Sequence, residues 1–304
     1  MESQESKEGK RVTRVAIVGL GLMGGSLAVA LKRVRPRWTL VACDETSVLE
    51  DARKRSLINE GETDPKKAVR DADVVFLASP VETIAQHVKM LAGDFREGAV
   101  VSDLGSTKRR IMKEAEALPD GVRFVGGHPM AGKASSGLDA ADGQLFEGAA
   151  WALVTTNPDN KATQSALEIV KDIVRAVGAR PILVDAETHD RAVAVVSQLP
   201  QLIALVLCQQ AGEVDHALDL AGPAFRNLSR LASSSSPLWH DIFTSNRDMV
   251  RDAIAELEKR LGQARSDLER TGLEPHFEAA KKALDGYPEL QATQQTRERD
   301  RRLS

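Results

Sequence analysis

The sequence predicts an α/β chain, with a doubly wound, mostly parallel sheet over residues 11–185 followed by an all-helical domain over residues 186–288. Three observations carry this. From Val12 onward, short β-branched runs alternate with amphipathic stretches of helical length, the pattern of a parallel sheet covered on both faces. After about Asp185 such runs stop and long helix-forming stretches take over. With 304 residues, the chain is also long enough for two cores.

In order, the expected strands lie in VTRVAIV, WTLVACD, DVVFLAS, AVVSDL, RFVGG, WALVTT and PILVD. Several are apolar throughout, as strands buried on both faces should be. In the helical part, Arg191 to Gly212 and Ser245 to Arg270 read as long helices. In the second, Met249, Val250, Ile254, Leu257 and Leu261 recur at helical spacing. The segment AVAVVSQLPQLIALVLC is apolar around much of its circumference, which predicts burial in a core or between subunits and makes a homodimer through this domain the natural expectation. Residues 1–10 and 289–304 are polar, and are expected to be disordered tails.

Composition narrows the function. A net charge of -3 gives no field that gathers polyanions, so a small molecule is expected as partner and nucleic acid is not. No secretory leader is evident, and the most apolar run, Leu199 to Cys208, is interrupted by Gln201 and is shorter than a membrane span, so no membrane helix is expected. Cys43 and Cys208 stand far apart without metal-ligand spacing, which suits a reducing, cytoplasmic compartment. The six histidines show no HExxH and no i, i+4 pair, and catalysis without metal is expected.

The sharpest local signal is VAIVGLGLMGGSLAVAL, a strand running through Gly19, Gly21 and Gly24 into a helix. This is the dinucleotide-binding arrangement of a Rossmann fold. Gly19 permits the tight turn, Gly21 lets the backbone approach a pyrophosphate, and Gly24 allows close packing of the helix. Leu22 and Met23 open that helix, whose N-terminus favours anions, and they join the candidate contacts. Asp44 closes the next strand 20 residues beyond Gly24, where a carboxylate accepts ribose hydroxyls and repels the extra phosphate of NADP; NAD is the expected cofactor. Asp44 as the cap of a helix starting near Ser47 is the plain alternative. Ser79 and Pro80 end DVVFLAS at the ligand-binding edge of the sheet, and suit the nicotinamide ribose or simply a strand-to-helix turn.

Two further segments, SDLGSTK at Ser102–Lys108 and GGHPMAG at Gly126–Gly132, fall at strand ends. Together with GLGLMGGS, THDRAVAVVSQLPQ and AGPAFRNLSRLASSSSPLWHDIFTSN, they resemble the prephenate and arogenate dehydrogenase family from about Arg11 to Tyr287. The resemblance implies NAD-dependent oxidative decarboxylation of prephenate, a dianion, to 4-hydroxyphenylpyruvate in tyrosine biosynthesis, with arogenate as the alternative substrate. It implies that His128 is the catalytic histidine, and an imidazole suits the removal of a hydroxyl proton during hydride loss. It implies that Ser106 positions that histidine and shares the substrate hydroxyl; a serine helix cap is the plain alternative. Asp103 and Lys108 read as solvent-facing or intradomain contacts.

In PAFRNLSRLA, Arg226 and Arg230 are four apart and share a helix face. The resemblance puts Arg230 on the ring carboxylate, a planar task suited to guanidinium, and Arg226 at a commonly basic position. A solvated basic stripe is the alternative. This chain departs from the family's SHLPH at Ser197-Gln198-Leu199-Pro200-Gln201, where amides replace two imidazoles. Gln201, a candidate substrate contact, therefore leaves the side-chain preference open, because an amide donates and accepts but cannot become cationic. His189 reads as a structural or interdomain contact. Competing functions are a β-hydroxyacid-type dehydrogenase, for which the expected catalytic lysine arrangement is missing, and a non-catalytic NAD-sensing dimer, against which His128, Ser106 and Arg230 stand together.

Overall fold

The computed structural model describes residues 12–287 apart from positions 134, 158, 235, 271 and 286. The expected tails lie outside the described residues. Among those residues the sheet has eight strands in the order β3-β2-β1-β4-β5-β6-β7-β8. Strands β1 (Arg14–Val18), β2 (Thr39–Cys43), β3 (Glu60–Glu62), β4 (Val74–Leu77), β5 (Val100–Asp103) and β6 (Arg123–Pro129) are parallel. Strands β7 (Ala150–Val154) and β8 (Arg180–Leu183) run the opposite way.

The doubly wound fold follows from strands apolar on both sides. In β1, Val15 and Ile17 enter one core with helices α1 (Leu22–Val34), α2 (Thr46–Lys54) and α6 (Lys161–Ala176). Ala16 and Val18 enter the other, with α3 (Pro65–Val69), α4 (Val81–Met90) and α5 (Arg109–Ala115). Removing such surface from water on both faces is worth about 25 cal/mol per Å² of apolar area. Seven strands were expected and eight are found. The additional β3 is a three-residue edge strand, Glu60-Gly61-Glu62, whose sequence carries no apolar run to announce it.

β6 changes partner along its length. Residues 123–125 pair with β5, whereas Gly126, Gly127, His128 and Pro129 pair only with β7. The strand thus overshoots its parallel neighbour by four residues.

Beyond β8 the described chain is helical. Asp185 caps α7 (Ala186–Val193) by accepting the Thr188 N–H, so the helix begins five residues before the expected Arg191. It continues through a π-helical stretch, Ala194–Gln198, into α8 (Leu199–Gly212). Pro200 explains the π turn: it has no N–H for the Val196 carbonyl, and the ladder slips so that Leu199 N–H bonds Ala194. The run Ala186–Gly212 is one helix of 27 residues with mean hydropathy 1.8, long and apolar enough by length and composition to cross a membrane. The shorter Leu199–Cys208 run had suggested otherwise. Its buried His189, Asp190, Gln198 and Gln201 instead bond to other parts of the protein.

Helices α9 (Pro223–Ala232), α10 (Ser236–Ser245), α11 (Arg247–Arg270) and α12 (Glu274–Leu284) follow. The chain divides into two compact units between Val250 and Arg251. The first holds the sheet and the helices up to α10. In the second, the Asp267 carboxylate meets His276 Nε2 at 2.9 Å, and Leu261, Leu268 and Phe277 are exposed.

Candidate active site

The turn from β1 to α1 has the shape the glycines require. Gly19 has φ +99°, and a Cβ there would lie 2.8 Å from the Ala78 carbonyl oxygen and 3.2 Å from Ser79 Oγ. A Cβ on Gly24 would collide with the Gly19 carbonyl, so this glycine packs the helix against its own entry loop. At Gly21 nothing lies within 4 Å of a Cβ position, and no side chain caps the helix that begins at Leu22 and Met23. An uncapped helix N-terminus beneath open space fits a pyrophosphate.

Asp44 follows β2 and accepts the N–H groups of Leu20 at 2.6 Å and Glu45 at 2.8 Å. It braces the glycine turn rather than capping α2, whose cap residue is Glu45. Ser79 stands beside Gly19, and Pro80 occupies the cap position of α4. The following N–H, that of Val81, is taken by Asp241 of α10 at 2.7 Å.

The next two strand ends form a buried clamp. The Lys108 ammonium is paired with Asp103 Oδ2 and donates to the Gly127 carbonyl at 2.6 Å. Asp103 accepts the Gly127 N–H at 2.9 Å and the Gly105 N–H at 2.9 Å. Both faces of the Gly127 peptide are therefore held, and with them the position of His128. Lys108 and Asp103 are fully buried, not the solvent-facing residues their sequence allowed. Burial lowers the Lys108 ammonium from its ordinary value, and Asp103 opposes that shift. A side chain at Gly127 would strike Asp103, which is why the residue before the histidine is glycine.

His128 meets His189 of α7, Nδ1 to Nε2 at 2.9 Å, with the rings edge to face. Its Nε2 has no protein partner among the described residues. Burial, then His189 and Lys108, hold this imidazole well below its usual pKa, so it is a neutral base at pH 7. His189 Nδ1 lies 2.8 Å from Asp190, whose carboxylate accepts the N–H groups of Lys108 at 2.7 Å and Arg109 at 2.9 Å. Burial raises the Asp190 carboxyl, but these hydrogen bonds outweigh it and hold the group below the usual carboxylate range.

Asn246 completes the junction, donating to the Asp190 carbonyl and to Gln198 Oε1, each at 2.8 Å. Arg109 reaches across to Asp248 in a two-pronged pair of 2.5 and 2.8 Å.

Other sequence candidates stand differently. Ser106 lies half-buried in the β5–α5 loop without a hydrogen bond to His128, whose partner is His189. Nor does Ser106 cap α5, since Lys108 takes that place. Gln201 donates to the Leu231 carbonyl at 2.9 Å, tying α8 to α9, while its buried Oε1 has no partner. Arg226 bonds the Ala221 carbonyl at 2.9 Å, and Arg230 is exposed without an ion pair among the described residues. The contact expected at His189 is found, with His128 and Asp190 as its partners, whereas those partners and the part played by Asn246 were not named from the sequence.

A glycine turn under an uncapped helix, with a neutral histidine three strands away at the same sheet edge, defines a dinucleotide-dependent dehydrogenase. The family description "Prephenate dehydrogenase, nucleotide-binding domain" matches residues 27–183, and "Prephenate dehydrogenase, dimerization domain" matches residues 185–282. A prephenate dehydrogenase of Lactococcus lactis subsp. cremoris is 32% identical over 279 residues, 88% of this chain and 76% of that protein. The crystal structure of prephenate dehydrogenase from A. aeolicus, in complex with hydroxyphenyl propionate and NAD+, superposes with a TM-score of 0.80 at 30% identity, covering 92% of this chain and 99% of that one. Synechocystis arogenate dehydrogenase gives a TM-score of 0.75 at 27% identity, covering 91% and 99%. The chain belongs to the prephenate dehydrogenase family.

Proposed function

We propose that the protein oxidatively decarboxylates prephenate to 4-hydroxyphenylpyruvate with NAD+, in tyrosine biosynthesis. The observation that supports this reading best is His128, neutral, clamped through Gly127, and with Nε2 unengaged by protein. Bound NAD+ supplies a hydride acceptor. Gly19, Gly21 and Gly24, with Leu22 and Met23, would hold its pyrophosphate, Asp44 its adenosine ribose, and Ser79 and Pro80 its nicotinamide half. His128 Nε2 accepts the substrate's hydroxyl hydrogen as the carbinol carbon is oxidised. Ser106 shares that hydroxyl. Arg230 binds the ring carboxylate, and Arg226 adds positive charge on the same helix.

The exposed apolar residues of the helical part, Val195, Val196, Val206, Leu207 and Leu220 among them, support a homodimer through this domain, burying the apolar face of the 27-residue helix between protomers of a cytoplasmic enzyme. Absorbance of NADH with prephenate and arogenate in parallel tests the reading: prephenate is turned over, and His128→Asn abolishes it. No turnover of either substrate would sink it. One observation favours arogenate as a second reading. With Gln201 Nε2 spent on Leu231, its buried Oε1 is left as an acceptor, which suits an ammonium better than a keto oxygen.

A further inference from the structure

The hydrogen-bond chain from His128 has a direction. Asp190, buried and already accepting two backbone N–H groups, is an ionised acceptor with no proton to give. His189 Nδ1 at 2.8 Å must therefore carry the hydrogen of that bond. Neutral His189 then presents a lone pair at Nε2, and His128 Nδ1 at 2.9 Å must donate to it. The carboxylate thus sets both tautomers, and the ring that ends the chain is left with its lone pair on Nε2.

We propose that His189 is a positioning residue for the dehydrogenation: it holds His128 in the Nδ1–H form and takes over that hydrogen while the base carries the substrate's proton. This rests on the reading of His128 as the base. In the step itself, the carbinol C–H bond breaks and its electron pair leaves with the hydride for the oxidised dinucleotide. The hydroxyl proton passes to His128 Nε2, and the Nδ1 hydrogen shifts to His189 Nε2, placing the cation against Asp190. The new carbonyl then draws in the electrons of the breaking carbon–carboxylate bond, CO2 departs, and the phenolate oxygen takes the stored proton back. No net proton is released.

The charged groups facing the pair are Asp190 on α7, Lys108 and Arg109 at the start of α5, Asp103 at the end of β5 and Asp248 on α11. Lys108 is paired with Asp103, and Arg109 with Asp248 and, through Nε at 3.3 Å, with Asp190, which is also the carboxylate in direct contact with His189.

The test uses the full chain with His189→Gln, which keeps an acceptor that cannot take a proton, and His189→Leu, which has none. Nitrogen-15 NMR of histidine-labelled wild type, without substrate, reads the tautomer directly: His128 protonated at Nδ1 and bare at Nε2 near neutral pH. His189→Leu lowers kcat on the order of 100-fold with little change in KM, and His189→Gln, which restores the acceptor but cannot take over the hydrogen, recovers only part of that loss. A His128 protonated at Nε2 in neutral wild type overturns the proposal. So does a Gln variant no faster than the Leu variant while binding NADH normally. If wild type oxidises neither prephenate nor arogenate, the functional reading fails, and the NMR result still decides the tautomer.

Discussion

At the scale of single residues, the glycines separate two roles that their motif merges. Gly24 is required by the protein: a methyl there meets the Gly19 carbonyl, and Gly24→Ala should destabilise the apo chain by about 1–3 kcal/mol, read as a lower Tm. Gly21 is required by the ligand. Gly21→Ala meets nothing within 4 Å, so Tm should stay unchanged while NADH titration shows affinity falling at least tenfold. A Tm loss at Gly21 equal to that at Gly24 would refute the distinction. The buried clamp makes a similar prediction. Lys108→Met leaves Asp103 without its cation and should cost about 3–5 kcal/mol in urea unfolding, more than the loss of an exposed pair. The glycine turn was legible in the sequence because its geometry is local, and His128 was singled out only through the family resemblance of its surrounding motif. The pairing of His128 with His189 was not legible, since it joins residues 61 apart and depends on where a helix docks.

At the scale of elements, the π turn sets the phase of the helix that carries both His189 and Gln201. Each residue of register is worth about 100° of rotation, so the slip at Ala194–Gln198 turns residues 186–193 relative to α8. Pro200→Ala restores the missing N–H and permits the regular ladder. The expected result is unchanged helicity by circular dichroism with a reduced kcat. Sequence periodicity located this helix but not its slip, because an i−5 turn leaves the apolar pattern nearly intact over a few residues. The start of α11 adds a pH dependence. Arg109 holds the Asp248 carboxyl down at about 2, outweighing burial. A carboxylate with a depressed folded pKa stabilises above its unfolded value near 4, and that contribution is lost as pH falls from about 4 toward 2. Acid unfolding of Asp248→Asn should therefore fall less steeply across that window, a small effect because the pair is part-exposed.

At the scale of the whole molecule, the apolar surface of the helical part argues for a second copy. Val206→Glu with Leu207→Lys should convert a concentration-independent dimer into monomer in sedimentation velocity, with the Rossmann half still binding NADH; a wild-type monomer at micromolar concentration would refute it. The alternation of strands and helices made the sheet readable, whereas the reversal at β7 was not, because parallel and antiparallel neighbours bury the same kinds of side chain. That reversal bears on how the molecule comes apart. In the ladder Gly126 to Pro129 pair only with β7, while the Gly127 N–H is held by Asp103 at the end of β5. In native-state hydrogen exchange the His128 amide should open together with those of β7 and β8, whereas the Gly127 amide is tied to β5. Loosening Trp151 or α6 would then disarm the base while the dinucleotide half stays folded, making catalysis the first property lost under stress.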